Sequence, residues 1–98
     1  MEINTYPTRE MKELYQAILS LKTPEEAANF FRDLLTISEL KEFANRWQMV
    51  LMLSEGKPYL EIAKKLKVST TTVARVAHWL HEGCGGYQTI LKRMTNAK

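Results

Sequence analysis

The chain has 98 residues, of which 45% are hydrophobic and 26% charged, and its net charge is +3. This length and apolar content predict one domain, residues 1–98, and argue against general disorder. We expect no membrane span, because no apolar run nears the roughly 20 residues that a span requires. We also expect no signal peptide, because residues 1–5 show no basic segment followed by an apolar stretch. The single cysteine, Cys84, excludes an internal disulfide and favours a cytoplasmic protein.

The charge is unevenly distributed along the chain. Residues 1–56 carry six basic and nine acidic side chains, which gives a net charge of −3. Residues 57–98 carry eight basic and two acidic side chains, which gives a net charge of +6. A basic half indicates either a polyanionic partner, usually nucleic acid, or a solvated basic face.

Residues 8–56 predict three helices. Apolar residues follow helical spacing after Pro7, and the segments from Thr23 to Glu26 and from Thr36 to Glu39 are capping boxes that start the second and third helices. The third helix is expected to run to about Glu55, before Gly56.

The last two turns of this third helix are apolar around most of their circumference. Met49, Met52 and Leu53 extend the stripe formed by residues such as Trp47 and Val50. Such a helix must be buried on nearly all sides, which a small monomer achieves with difficulty. We therefore infer a homodimer with residues 8–56 as its dimerisation helices, the alternative being an internal helix of a monomer.

Residues 58–82 predict a helix-turn-helix. A short helix begins after Pro58 and ends near Leu66, and Ser69 caps a second helix that runs to about Glu82. A turn this short makes the two helices cross steeply. The apolar positions fit that crossing, although the glycine usual in the turn is Lys67. They are Ile62, Ala63, Leu66, Val68, Val73, Val76 and Leu80.

The second helix begins with short hydroxyl side chains that let a helix enter the major groove of DNA. Threonine forms helices poorly, so three in a row at an exposed start favour a functional role. Nearby lysines can neutralise phosphates, and Arg75 either contacts a phosphate or lines a ligand cavity. The predicted DNA contacts are Lys64, Lys65, Lys67, Ser69, Thr70, Thr71, Thr72 and Arg75.

Several of these features together resemble the tryptophan repressor family over residues 10–95. The segment from Leu35 to Glu39, Asn45-Arg46, Gly56 and the helix-turn-helix carry the resemblance, and the ending from Gly83 to Leu91 is similar to the TrpR-like YerC/YecD group. The resemblance implies an all-α, six-helix fold that forms an intertwined homodimer. It also implies a transcriptional repressor of a palindromic operator, with recognition helices about 34 Å apart.

In the tryptophan repressor, a corepressor lies beside the recognition helix between two arginines. The resemblance places Arg46 and Arg75 at those positions and Thr36 near the same pocket. Val76 replaces a glycine and Trp79 replaces a serine that contacts the amino group of the ligand. Both changes add bulk and remove polar contact, so we do not expect L-tryptophan to bind, and any effector would be another small molecule.

Trp79 lies four residues after Arg75, so the two side chains share a helical face and can stack. One hypothesis is that Trp79 partly fills the corepressor cavity and makes the protein self-liganded. The alternative is that Trp79 only packs against its neighbours.

The remaining sequence predicts a C-terminal helix over residues 86–95 and no catalytic chemistry. His78, His81 and Cys84 have a spacing that zinc can accept, but Cys84 follows the helix in a glycine-rich loop, so no metal site is expected. No set of residues supports an enzyme. The alternative to a DNA-binding regulator is a helical protein-interaction module that does not bind DNA.

Overall fold

A computed structural model describes residues 5–96 of the chain. The helices are α1 (Arg9–Leu19), α2 (Pro24–Leu34), α3 (Ile37–Ser54), α4 (Tyr59–Leu66), α5 (Thr70–Glu82) and α6 (Gly86–Asn96), and this range contains no strand. The expected six-helix, all-α fold is therefore confirmed. Between residues 5 and 96, no helix has the length and apolar character needed to cross a membrane.

The capping boxes begin α2 and α3 as expected, with one difference. At α3, the Thr36 hydroxyl accepts a hydrogen bond from the Glu39 N–H (3.1 Å), and the Glu39 carboxylate accepts one from the Thr36 N–H (2.9 Å). At α2, Thr23 accepts from the Glu26 N–H, but the Glu26 carboxylate accepts from the N–H of Lys22. Each arrangement satisfies two backbone donors that a helix start leaves unpaired.

Helix α3 ends one residue before the position expected from the sequence. Gly56 has a φ of +83°, a conformation that glycine adopts without steric cost. The N–H of Gly56 donates to the carbonyl of Leu53, and the N–H of Lys57 donates to that of Met52. These two bonds form a Schellman motif, which satisfies carbonyls that the end of α3 leaves free.

The described chain divides into two compact units, and the boundary falls between Leu40 and Lys41, inside α3. The second half of α3 belongs to the core of the C-terminal unit. The buried residues of that core are Met49, Val50, Met52, Ile62, Ala63, Val73, Val76 and Leu80.

In the N-terminal unit, α1 and α2 contain no buried residue. Their apolar side chains are exposed to a large extent, including Met11 (40%), Leu19 (81%) and Leu34 (45%). The first half of α3 is similar, since Ile37 and Phe43 are about half exposed. Within one chain, only the second half of α3 has the extensive burial that its apolar character predicts.

Helix α6 packs on the core of the C-terminal unit through Tyr87 and Leu91. The centre of the Tyr87 ring lies 6.1 Å from the centre of the Trp47 ring. The side-chain amide of Gln88 donates a 2.8 Å hydrogen bond to the carbonyl of Leu80, near the end of α5. These contacts place the start of α6 beside the helix-turn-helix.

Candidate DNA interface and effector groove

The helix-turn-helix depends on a tight turn between α4 and α5. Lys67 has a φ of +59° and a ψ of +46°, so it adopts the left-handed conformation that glycine would adopt more easily. The N–H of Val68 then donates to the carbonyl of Ala63. Ile62 and Val73 become fully buried where the helices cross. The packing that the sequence predicted for residues 58–82 is confirmed.

Helix α5, the predicted recognition helix, begins with an N-cap that uses Ser69. The Ser69 hydroxyl accepts a hydrogen bond from the N–H of Thr72 and also lies 3.0 Å from the Thr72 hydroxyl. Thr70 and Thr71 remain exposed, whereas Thr72 is half-buried. The three threonines therefore differ, and two of them are free to contact the edges of bases.

Two further residues lie on the same exposed face of α5 as Thr71. Ala74 and His78 lie three and seven residues after Thr71, and both are exposed. Helical spacing aligns them along one surface of α5. A small alanine allows close approach to a groove floor and offers a methyl group to thymine. The sequence interpretation missed them, although their spacing from Thr71 was a usable signal.

Lysines surround this face. Lys64, Lys65 and Lys67 are all exposed, and in the described part of the chain none of them forms an ion pair. Lys57 differs, because its ammonium lies 3.9 Å from the Glu61 carboxylate. Three unpaired ammonium groups beside the predicted recognition helix are able to neutralise phosphates.

An open groove of about 400 Å³ runs along the other side of α5, a volume within the range of small-molecule sites. We call it the effector groove. Arg46 and Arg75, which the sequence predicted to share a pocket, both line it. Its lining residues are Glu42, Arg46, Thr72, Arg75, Val76, Trp79 and Tyr87.

Charged and aromatic groups are paired on one side of this groove. The guanidinium of Arg46 lies 3.2 Å from the carboxylate of Glu42, one helical turn earlier, and 5.7 Å from the centre of the Phe43 ring. Glu42 and Tyr87 were missed in the sequence. Glu42 had a signal, its spacing of four from Arg46, whereas the approach of Tyr87 depends on how α6 packs.

Trp79 forms a wall of the groove and does not fill it. Trp79 is 55% exposed, and its ring forms a T-shaped pair with the ring of His78, with the two ring centres 5.7 Å apart. The predicted stacking of Arg75 on Trp79 is absent from the described residues, where the cation–π contact is that of Arg46 with Phe43. A Cβ atom at Gly83 would collide with the carbonyl oxygen of Trp79. Glycine at this position therefore lets the chain lie close to the last turn of α5.

The other predicted ligand residue, Thr36, lies in the N-terminal unit, where its hydroxyl caps α3. Its role toward a ligand stays a prediction. Residues 5–96 contain no group of three His, Cys, Asp or Glu side chains placed to hold a metal ion. Cys84 is exposed beyond the end of α5.

Sequence comparisons relate the chain to one family. The family model described as Trp repressor protein matches residues 9–95. A relative from Bacillus subtilis (strain 168), the uncharacterized protein YerC, is 38% identical over 94 residues, which cover 96% of this chain and 90% of YerC. The resemblance to the TrpR-like group is therefore confirmed.

Solved structures agree with this assignment. A TrpR-like protein from Eubacterium eligens is 40% identical, with a TM-score of 0.85 and coverage of 91% of this chain and 92% of that one. A structure described as a putative Trp repressor from Staphylococcus aureus is 36% identical, with a TM-score of 0.85 and coverage of 97% and 95%. The chain belongs to the Trp repressor family of DNA-binding regulators, which is a regulatory and not an enzymatic family.

Proposed function

We propose that this protein is a homodimeric transcriptional repressor that binds a palindromic operator through α5. The observation that carries the proposal is the exposed face of Thr70 and Thr71, flanked by the unpaired lysines 64, 65 and 67. Hydroxyl groups at a helix start suit base edges and phosphates, and the lysines supply attraction that is independent of sequence.

The exposed apolar surface of the N-terminal helices supports the homodimer. Neither α1 nor α2 buries a residue within one chain, although Met11, Tyr15 and Leu34 occupy the apolar stripes of these helices. Pairing with a second copy would remove this surface from water. Sedimentation equilibrium is expected to give twice the chain mass of 11.4 kDa at micromolar concentration, and a monomer would contradict the dimer.

The symmetry of a dimer determines the form of the operator. Two recognition helices related by a two-fold axis require two inverted half-sites, about 34 Å or one turn of DNA apart. Repression follows if the operator overlaps a promoter. The relatives come from bacteria, so we place the protein in the cytoplasm, where bacterial DNA lies.

Selection of bound duplexes from a random pool tests the DNA-binding proposal. The expected product is an inverted repeat whose affinity falls steeply with salt. A random duplex of equal length is the control and is expected to bind more weakly. Binding that is insensitive to both sequence and salt would contradict the proposal, and no binding to any duplex would favour the alternative, a helical protein-interaction module.

We also propose that the effector groove regulates DNA binding by taking a small molecule other than L-tryptophan. Val76 and Trp79 narrow the groove, and Arg75 lies both on this groove and four residues from Thr71 on the recognition helix. Isothermal titration calorimetry with L-tryptophan is expected to show no binding at micromolar concentration. Micromolar affinity would overturn the exclusion of this ligand.

A further inference from the structure

His78 lies on the exposed face of α5 that also carries Thr71 and Ala74. The opposite side of the helix is buried, through Val73, Val76, Ala77 and Leu80. The His78 side chain therefore points away from the core. Between residues 5 and 96, its two ring nitrogens have neither a hydrogen-bond nor an ion-pair partner. The imidazole can thus bind a partner outside the chain.

The ring of His78 is oriented by the residue that follows it. The His78 and Trp79 rings form a T-shaped pair, with an angle of 80° between their planes. This contact restricts the rotamers that the imidazole can adopt. Less side-chain entropy is therefore lost when the imidazole binds a partner.

The length of α5 determines what His78 can reach on DNA. His78 follows Thr71 by seven residues, which is about 10 Å along the helix axis at about 1.5 Å per residue. A helix of this type places its first residues against base edges, and the major groove is about 12 Å wide. When Thr71 contacts a base, His78 therefore lies near the wall of the groove, where the phosphates are.

We infer that His78 binds a phosphate of the operator as an imidazolium, so that operator binding is linked to the uptake of a proton. This inference rests on the proposed binding of DNA through α5. Protonated imidazole has two N–H donors and a positive charge, whereas neutral imidazole has one donor and no charge. The protonated form therefore binds a phosphate more strongly. Histidine side chains exchange between the two forms within about pH 5–8.

The charged groups around His78 leave this contact to the phosphate. On α5, Arg75 precedes His78 by three residues, and His81 and Glu82 follow it by three and four. Within the described range, Glu82 forms no ion pair with His78, so the phosphate is the anionic partner of the imidazolium. The titratable groups of the neighbouring elements form no hydrogen bond or ion pair with it either. They are Glu42 and Arg46 of α3, Lys64 and Lys65 of α4, Lys67 of the turn, and Tyr87, Lys92 and Arg93 of α6.

Linkage determines the direction of the pH dependence. Binding that takes up a proton becomes tighter as the pH falls and weaker as the pH rises. For each α5 bound, the affinity for the selected duplex should be about tenfold higher at about pH 5.5 than at about pH 7.5, because a charge-assisted hydrogen bond is gained. The added phosphate contact should also steepen the slope of log affinity against log salt by about 0.9. Salt titrations of the full chain at the two pH values measure both effects.

Three variants separate His78 from other titrating groups. His78→Gln keeps a hydrogen-bond donor without a charge and is expected to lose both effects of pH. His78→Arg carries a permanent charge and is expected to bind at the higher pH as tightly as wild type binds at the lower pH. His81→Gln is the matched control, because the chain has two histidines and His81 lies about 15 Å along the axis from Thr71. It is expected to keep the wild-type pH dependence.

Calorimetry measures the proton directly. The heat of duplex binding is compared in two buffers that differ in ionisation enthalpy, at about pH 6.5, where imidazole titrates. The difference gives the number of protons taken up, which is expected to be larger for wild type than for His78→Gln. Equal uptake by these two proteins, or a pH dependence that only His81→Gln removes, would overturn the inference. Circular dichroism at both pH values checks that each variant retains its helices.

Failure of this inference differs from failure of the regulator proposal. If the selected duplex binds with the same pH profile in wild type and His78→Gln, the assignment of His78 fails and the regulator proposal stands. If no duplex binds at either pH, both fail.

Discussion

The side chain of Gln88 donates a 2.8 Å hydrogen bond to the carbonyl oxygen of Leu80, eight residues earlier in the chain. Leu80 lies in the last turn of α5, where carbonyl groups have no partner within the helix. The bond thus joins the start of α6 to the end of the recognition helix. Tyr87, next to Gln88, reaches the effector groove from the same segment.

Gln88→Ala is expected to lower the free energy of unfolding by about 0.5–1.5 kcal/mol, because one intramolecular hydrogen bond is lost. Urea denaturation measures the change. Gln48→Ala, which alters an exposed glutamine of α3, is the control and is expected to stay within about 0.5 kcal/mol of wild type. Equal losses of unfolding free energy at the two positions would show that the Gln88 hydrogen bond does not stabilise the fold.

Lys67→Gly is expected to separate stability from affinity. Glycine accepts the left-handed conformation of this residue, so relief of about 1–2 kcal/mol of strain should outweigh its greater entropy loss of about 0.5–1 kcal/mol. Duplex affinity should fall because an ammonium group is lost. Lys65→Gly, inside α4, is the control and should destabilise the protein, because glycine disfavours a helix interior. A stabilising Lys65→Gly or a destabilising Lys67→Gly would contradict strain at residue 67.

Ser69 has two roles that substitution can separate. Ser69→Ala is expected to cost about 1 kcal/mol of stability, because the N-cap bond to Thr72 is lost. Ser69→Asp retains a capping oxygen and is expected to keep stability, but its negative charge should repel phosphate and weaken duplex binding. Thermal unfolding and a binding titration are run on both variants. If Ser69→Asp binds the duplex as tightly as wild type does, residue 69 does not lie near a DNA phosphate.

Lys65→Ala is expected to weaken binding to all duplexes alike. Loss of one phosphate contact should reduce the slope of log affinity against log salt by about 0.9. A salt titration with operator and random duplexes measures both effects. Lys12→Ala, on α1, is the control, and an unchanged slope for Lys65→Ala would exclude a phosphate contact.

Thr71→Val is expected to change sequence preference, since valine keeps a methyl group but lacks the hydroxyl. Discrimination at one base pair of each half-site should change by about 1–3 kcal/mol. Duplex selection with the variant identifies that position. Thr95→Val in α6 is the control, and the same selected sequence for all three proteins would exclude Thr71 from base contact.

Local signals account for the success of the sequence in predicting the helices. Caps such as Thr36 and Ser69 act within three residues, so a single sequence shows where α3 and α5 begin. The division of the chain inside α3 could not be predicted, because it depends on which distant side chains pack around Met49 and Val50.

Local signals do not account for the residues that line the groove. Arg46 and Arg75 were placed in one pocket through the family resemblance, and the structure brings them to one groove. The position of Tyr87 depends on how α6 packs on the core. Such packing is a tertiary effect that helical spacing does not encode.

The boundary between the two units inside α3 has an evolutionary consequence. The core that holds the helix-turn-helix uses side chains from Met49 onward, whereas the exposed apolar side chains of α1 and α2 belong to the other unit. If α1 and α2 form the interface of the proposed homodimer, substitutions that alter the choice of partner chain need not disturb the side chains that hold the predicted recognition helix. Paralogues from one ancestor could then lose the ability to form mixed dimers while they retain the same operator, or acquire a new operator while they retain the same partner.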